Sequence, residues 1–201
     1  MIVVVEGPTA AGKTTWCRVH AADVLVPETR SAEPPPGDEP AATFWAARGS
    51  DRWQEAVEIE REYGVALCDS DPMKLHYPWS LWRIGVEDGS AFHAQAAAYR
   101  AAMADGRIGF ADHYLVEVPA VPVLEARRSA DPTRRRRNFG LHSRLGVPVR
   151  EWYELIESLR QGSVRWHFPD DGLASLAGPD RARYDLDAYD ALIAAARNAA
   201  T

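Results

Sequence analysis

The run Gly7-Pro8-Thr9-Ala10-Ala11-Gly12-Lys13-Thr14 satisfies the spacing Gly-x4-Gly-Lys-Ser/Thr. Each residue type has a physical reason to be there. Glycines let the backbone turn tightly enough to point successive N–H groups inward, and the helix that follows adds partial positive charge. Lys13 can reach the outer phosphates of a nucleoside triphosphate, and the Thr14 hydroxyl can sit on Mg²⁺. The context agrees: the run follows the apolar stretch Ile2 to Val5 and opens a helical pattern from Lys13 to about Ala22. Gly7, Thr9, Ala10, Ala11, Gly12, Lys13, Thr14 and Thr15 are therefore expected to bind the nucleotide, with ATP and Mg²⁺ as cofactors.

Acids come next. Glu28 follows a short apolar run at Val24-Leu25-Val26, and Asp69 and Asp71 follow another at Val65 to Cys68. If these runs are parallel strands beside the first, their ends converge on the terminal phosphate. A carboxylate there can take the proton of an attacking hydroxyl or organise the metal. Glu28 is assigned the base role and Asp69 the metal role, with Asp71 the alternative metal organiser.

A third group is cationic. Eight arginines lie between Arg127 and Arg150 against one acid, Asp131, so this segment carries +7 and the remainder −13 within a net charge of −6. The chain holds 21 arginines but only two lysines, Lys13 and Lys74. A basic segment on an acidic body suits a lid that closes over a triphosphate, neutralises charge in the transition state and excludes water. The acidic body argues against a general nucleic-acid binder.

These groups need a scaffold. Strands are read at Ile2–Val5, Val24–Val26, Val65–Cys68, Tyr114–Val118 and Val164–Phe168. Helices are read at 13–22, 43–63 with a possible break at Gly49, 90–106, 149–160 and 186–198, while 73–89 is read as irregular. This alternation predicts an α/β three-layer sandwich on a five-stranded parallel sheet. One domain over residues 1–201 is expected, with a mobile acceptor-side insert at about 29–50, where residues 31–41 hold four prolines, and a lid at about 125–147. Cys17 and Cys68 form neither a disulfide framework nor a zinc spacing, no apolar stretch of membrane-spanning length occurs, and the opening residues lack a signal-peptide pattern. A cytoplasmic location without membrane contact is expected.

In its order of elements the chain resembles the thymidylate kinase and deoxyribonucleoside kinase branch of P-loop kinases. The likeness rests on the phosphate loop after strand one, Pro27-Glu28 after strand two, the acids after strand three and the arginine segment after strand four. It implies a phosphotransferase in which Glu28 is the general base. It also implies an Arg-x-Arg lid core at Arg135 and Arg137, and an adenine-stacking arginine at Arg127 or Arg128. The family's Glu-Arg-Ser falls on Asp69-Ser70, where the arginine is missing; Arg83 or Arg52 would have to replace it.

Aromatic residues gather in the two segments that would flank the acceptor: Phe44, Trp45, Trp53, His76, Tyr77, Trp79, Trp82 and Tyr99. Trp45, Trp79 and Arg83, together with Glu28, are the expected acceptor contacts. Asp112, His76 and His113 are expected to be structural. The acceptor is read as a nucleoside or nucleoside-like small molecule. An antibiotic or other aromatic metabolite is the second reading, and a nucleotide-dependent binding module or switch the third. A homodimer is left open.

Overall fold

The computed structural model describes residues 1–28, 40–131, 138–178 and 182–200. Five strands, β1 (Ile2–Glu6), β2 (Leu25–Val26), β3 (Ala66–Asp69), β4 (His113–Val116) and β5 (Val164–Arg165), form one sheet in the order β2-β3-β1-β4-β5. All four pairings are parallel. Val5 lies beside Asp69, and Glu6 beside Val116, so the carboxyl end of the central strand is flanked by the ends of β3 and β4.

β1 is buried on both faces, which is why it reads as a continuous β-branched run rather than an alternating one. Its side chains still alternate between two cores. Val3 and Val5 meet Cys17 of helix α1 (Lys13–His20), with Phe168, Leu173 and Leu176 packed around them. Ile2 and Val4 enter the larger core on the other face. That core is built by α2 (Ala41–Tyr63), α3 (His76–Arg83), α4 (Ser90–Ala104), α7 (Gly146–Leu159) and α8 (Leu186–Ala200). α5 (Val121–Ser129) and the short α6 (Phe139–His142) lie between β4 and α7. The architecture is the expected α/β sandwich on a parallel five-stranded sheet, with unequal outer layers.

Several element boundaries differ from expectation. α2 is unbroken at Gly49, and residues 41–50 of the expected mobile insert form its opening turns, with Ala46, Gly49 and Ser50 buried. Gly49 is there for space: a Cβ would stand 2.4 Å from the Pro72 carbonyl oxygen and 2.6 Å from the Tyr99 hydroxyl. Residues 76–83, read as irregular, form α3. Pro78 is tolerated in its first turn because the N–H it lacks would have no intrahelical acceptor there. β4 ends at Val116 and β5 at Arg165, both earlier than expected.

At the amino end of the sheet, away from the phosphate loop, Arg183 ties Asp112 to Glu60. Asp112 also accepts the Ile2 N–H at 2.6 Å. His113 reaches the Ala177 carbonyl oxygen at 2.9 Å. Asp112 and His113 are thus framework residues. Among the described residues no helix is long and apolar enough to cross a membrane.

Candidate active site

The phosphate loop is a nest of backbone conformations that side chains disfavour. Gly7, Ala10 and Gly12 have φ of 154°, 65° and 104°. At Gly7 a Cβ would stand 2.2 Å from the Glu117 carbonyl oxygen, so that position tolerates no side chain. No side chain caps the N-terminus of α1. The leading amides of a helix have no intrahelical partners, so this end can receive an anion. Lys13 leans over the loop, its Nζ donating to the Gly7 carbonyl at 2.6 Å.

Asp69 closes β3 beside this loop. The Thr14 hydroxyl hydrogen-bonds it, yet Asp69 Oδ1 is buried without a hydrogen-bond partner. Burial pushes the Asp69 carboxyl up, against the opposing pull of Thr14 and Lys13. An unpaired buried carboxylate oxygen beside a phosphate-loop hydroxyl is costly unless a cation completes it. Thr14 and Asp69 offer the oxygen atoms that Mg²⁺ prefers, and such an ion can be held by only one or two protein ligands. Among the described residues no group of three or more His, Cys, Asp or Glu side chains is gathered to hold a metal by itself. Asp71, the alternative, points elsewhere: its oxygens accept from the Met73 N–H at 2.9 Å and the Tyr153 hydroxyl at 3.1 Å, and burial pushes it up to about 6.

Glu28, just past β2, pairs with Lys74 at 2.5 Å, both side chains 41% exposed. Shelter within the cleft pushes the Glu28 carboxyl up, but Lys74 and then Lys13 outweigh it and hold the group below its usual value. Both lysines of the chain therefore act on the expected base. Lys74 has φ 32° and Ser70 φ 74°, two left-handed non-glycine residues in the turn from β3 to α3. Such backbone persists only when surroundings enforce it, and it concentrates at functional sites.

Arg52 explains how the acids are held in place. Its buried guanidinium donates to the carbonyls of Pro27 (3.2 Å), Asp69 (2.8 Å) and Ser70 (2.9 Å), stitching the ends of β2 and β3 together from α2. Arg52 is therefore engaged with the frame. Arg83 pairs with Glu151 of α7 on a partly exposed surface. Trp79 is fully buried, its indole N–H donating to the Ala196 carbonyl at 2.8 Å and its ring 5.6 Å from Trp152. Trp79 is therefore a core residue with no surface to offer an acceptor. Trp45 is half-buried, with its ring edge-on to Phe44 at 5.1 Å.

Of the arginine segment, Arg127 comes down onto the phosphate loop. Its Nη1 donates to the Ala11 carbonyl at 2.6 Å, and its other nitrogen lies 3.6 Å from Glu117. Arg128 turns the other way and stacks over Phe139 at 4.6 Å. Arg135 and Arg137 lie outside the described residues.

Three site groups escaped sequence reasoning. Glu6, at the end of β1, is 2% exposed and surrounded by donors: the Gly7 N–H (2.8 Å), the Ser70 hydroxyl (2.7 Å) and the Asp71 N–H (3.1 Å). Lys13 Nζ and His76 Nε2 lie 3.3 Å and 3.5 Å from its two oxygens. Burial pushes the Glu6 carboxyl up; Lys13, His76 and Lys74 overcome that and hold it far below the carboxylate range. A lone acid ending an apolar strand just before the loop was the available signal. Lys74, one of two lysines, was another. His142 of α6 contacts Tyr77 (3.4 Å) and feels Lys74, Glu28 and Lys13 electrostatically, so it stands near the same charged cluster.

His76 makes the site sensitive to acid. Burial pushes it down to about 4, against the pull of Glu6. A histidine that resists protonation when folded contributes stability that is present above its unfolded pKa and lost as pH falls toward the folded one. Wild-type protein should lose stability relative to His76→Gln as pH falls from about 6.5 to about 4, by up to about 3 kcal/mol. Urea unfolding of both proteins across that window measures it; parallel stability curves would refute it.

No family model matches the chain, and no curated protein matches it. Among solved structures, the chain is similar to deoxyadenosine kinase from M. mycoides with bound dATP, at 11% identity over 83% of this chain and 90% of that one, with a TM-score of 0.49. It is also similar to the structure of deoxyadenosine kinase from M. mycoides with bound dCTP, at 11% identity over 83% and 89% of the two chains, with a TM-score of 0.45.

Proposed function

We propose that this protein is an ATP- and Mg²⁺-dependent phosphotransferase that moves the γ-phosphoryl group to a hydroxyl of a small molecule, a nucleoside or nucleoside-like compound. The observation that carries the reading is the convergence, at one end of the sheet, of the phosphate loop, the buried and unpaired Asp69 Oδ1 beside Thr14, and Glu28 within the field of Lys13.

Phosphoryl transfer asks the protein mainly for positioning and charge neutralisation. The loop amides and Lys13 hold the outer phosphates. Thr14 and Asp69 would hold Mg²⁺, which when bound neutralises charge on the phosphate oxygens. Arg127, already on the loop, adds a guanidinium charge to the Lys13 ammonium at the phosphate end. Glu28 is held ionised and so stands ready to accept the acceptor's proton. To do so it must exchange Lys74 for the incoming hydroxyl. Tyr77 and His142, near the same charged cluster, replace Trp79 and Arg83 as the side chains offered to the acceptor.

The test is transfer of label from γ-labelled ATP to a panel of nucleosides, nucleotides and aromatic metabolites. Labelled nucleoside monophosphate is the expected product. Transfer only to a different ring compound would replace the nucleoside part of the reading, and nucleotide binding with no transfer at all would refute the reaction.

A further inference from the structure

Glu6 is surrounded by elements from both halves of the site, and its two oxygens divide the work. Oε1 accepts the Gly7 N–H at 2.8 Å and lies 3.3 Å from Lys13 Nζ, so it serves the phosphate loop. Oε2 accepts the Ser70 hydroxyl at 2.7 Å and the Asp71 N–H at 3.1 Å, and lies 3.5 Å from His76 Nε2, so it serves the turn that carries Asp69 and opens α3. The carboxylate is 2% exposed. No substrate can touch it there, yet among the described residues it is the group that meets Lys13, the acidic turn and α3 at once.

We propose that Glu6 is a positioning residue that fixes the Lys13 ammonium relative to the 69–76 turn, so that the phosphate end and the acceptor end of the cleft are held in one frame. This rests on the nucleotide-binding reading of the phosphate loop. Its physical basis is the long, flexible lysine stem. An ammonium on four rotatable carbons loses its side-chain freedom on binding unless something has already ordered it. A charged, buried acceptor fixed by three hydrogen bonds does that ordering beforehand, which is how preorganisation strengthens binding and catalysis. Lys13 also faces Glu28 and Asp69, but Glu6 is the carboxylate whose own position is locked by backbone and hydroxyl donors.

The chain contains only two lysines, which makes Lys13 directly observable. Protein labelled with ¹³C at the lysine ε-carbon should give two resonances, assigned by Lys74→Arg. In the wild type the Lys13 signal should lie away from the free-lysine position. In Glu6→Gln it should move to that position while the Lys74 signal stays, and MgADP affinity by calorimetry should fall about tenfold. Ser70→Ala, which loosens the brace on Oε2 and leaves the charge intact, should move the Lys13 signal part of the way and weaken MgADP about threefold; it also covers the case in which Glu6→Gln does not fold. An unmoved Lys13 signal, or MgADP affinity within twofold of wild type in the folded variants, overturns the proposal. Failure of the wild type to bind MgADP is a separate result: it overturns the reading of the loop, and the proposal with it.

Discussion

Lys13→Met is expected to cut phosphoryl transfer about a thousandfold, about 4 kcal/mol of transition-state stabilisation, which is the scale for removing one preorganised charge contact. The side chain of Met matches Lys13 in length, so the loop backbone, set by Gly7, Ala10 and Gly12, keeps its shape. What disappears is the ammonium, whose charge burial disfavours and Glu6, Glu28 and Asp69 favour more strongly. Nucleotide affinity should fall too, because the lysine binds ground-state phosphates as well as the transferring group. Label transfer together with MgADP calorimetry measures both. Retention of more than a tenth of wild-type transfer would show that Lys13 is not part of the machinery.

Glu28→Gln should separate chemistry from binding. Removing a general base costs about 10²- to 10⁴-fold in rate. Since Glu28 stands past β2, across the cleft from the loop amides, MgADP affinity should stay within about threefold. The substitution also releases Lys74 from its 2.5 Å ion pair. If the pair served only to brace the turn, Glu28→Gln and Lys74→Met would lower the melting temperature equally and leave kcat alone. The base role requires the rate to fall with the melting temperature nearly unchanged. Full transfer by Glu28→Gln would remove Glu28 from that role.

What the sequence made legible followed the range of the forces involved. The loop is local: eight contiguous residues carry both its backbone conformation and the residue types its proposed chemistry needs, so Gly7 to Thr14 could be picked out directly. The central strands announced themselves because a strand buried on both faces is apolar throughout, as Ile2 to Val5 is. Failures came where distant parts of the chain decide. Trp79 looks like a ring available for stacking until α8 covers it and Ala196 takes its N–H. Arg83 looks like a free replacement arginine, but in the fold it pairs with Glu151, far along the chain. Gly49 looks like a helix breaker, but its missing side chain makes room for Pro72 and Tyr99. Glu6 was passed over for the same reason: two of its donors, on Ser70 and Asp71, and its neighbour His76 come from beyond β3. The unexpected helix α3 begins just after a left-handed lysine, a conformation that no propensity scale favours.

The three carbonyl contacts of Arg52 bear on how a ligand is first drawn in. This guanidinium is solvated by three peptide carbonyls, which leave its positive charge unneutralised. Lying beneath the strand ends, it adds a permanent positive potential to the mouth of an otherwise acidic molecule. Its pull on an approaching polyanion falls as salt rises, as any steering field does, while its pull on one already seated beside it is screened far less. Salt should therefore slow capture more than it speeds release.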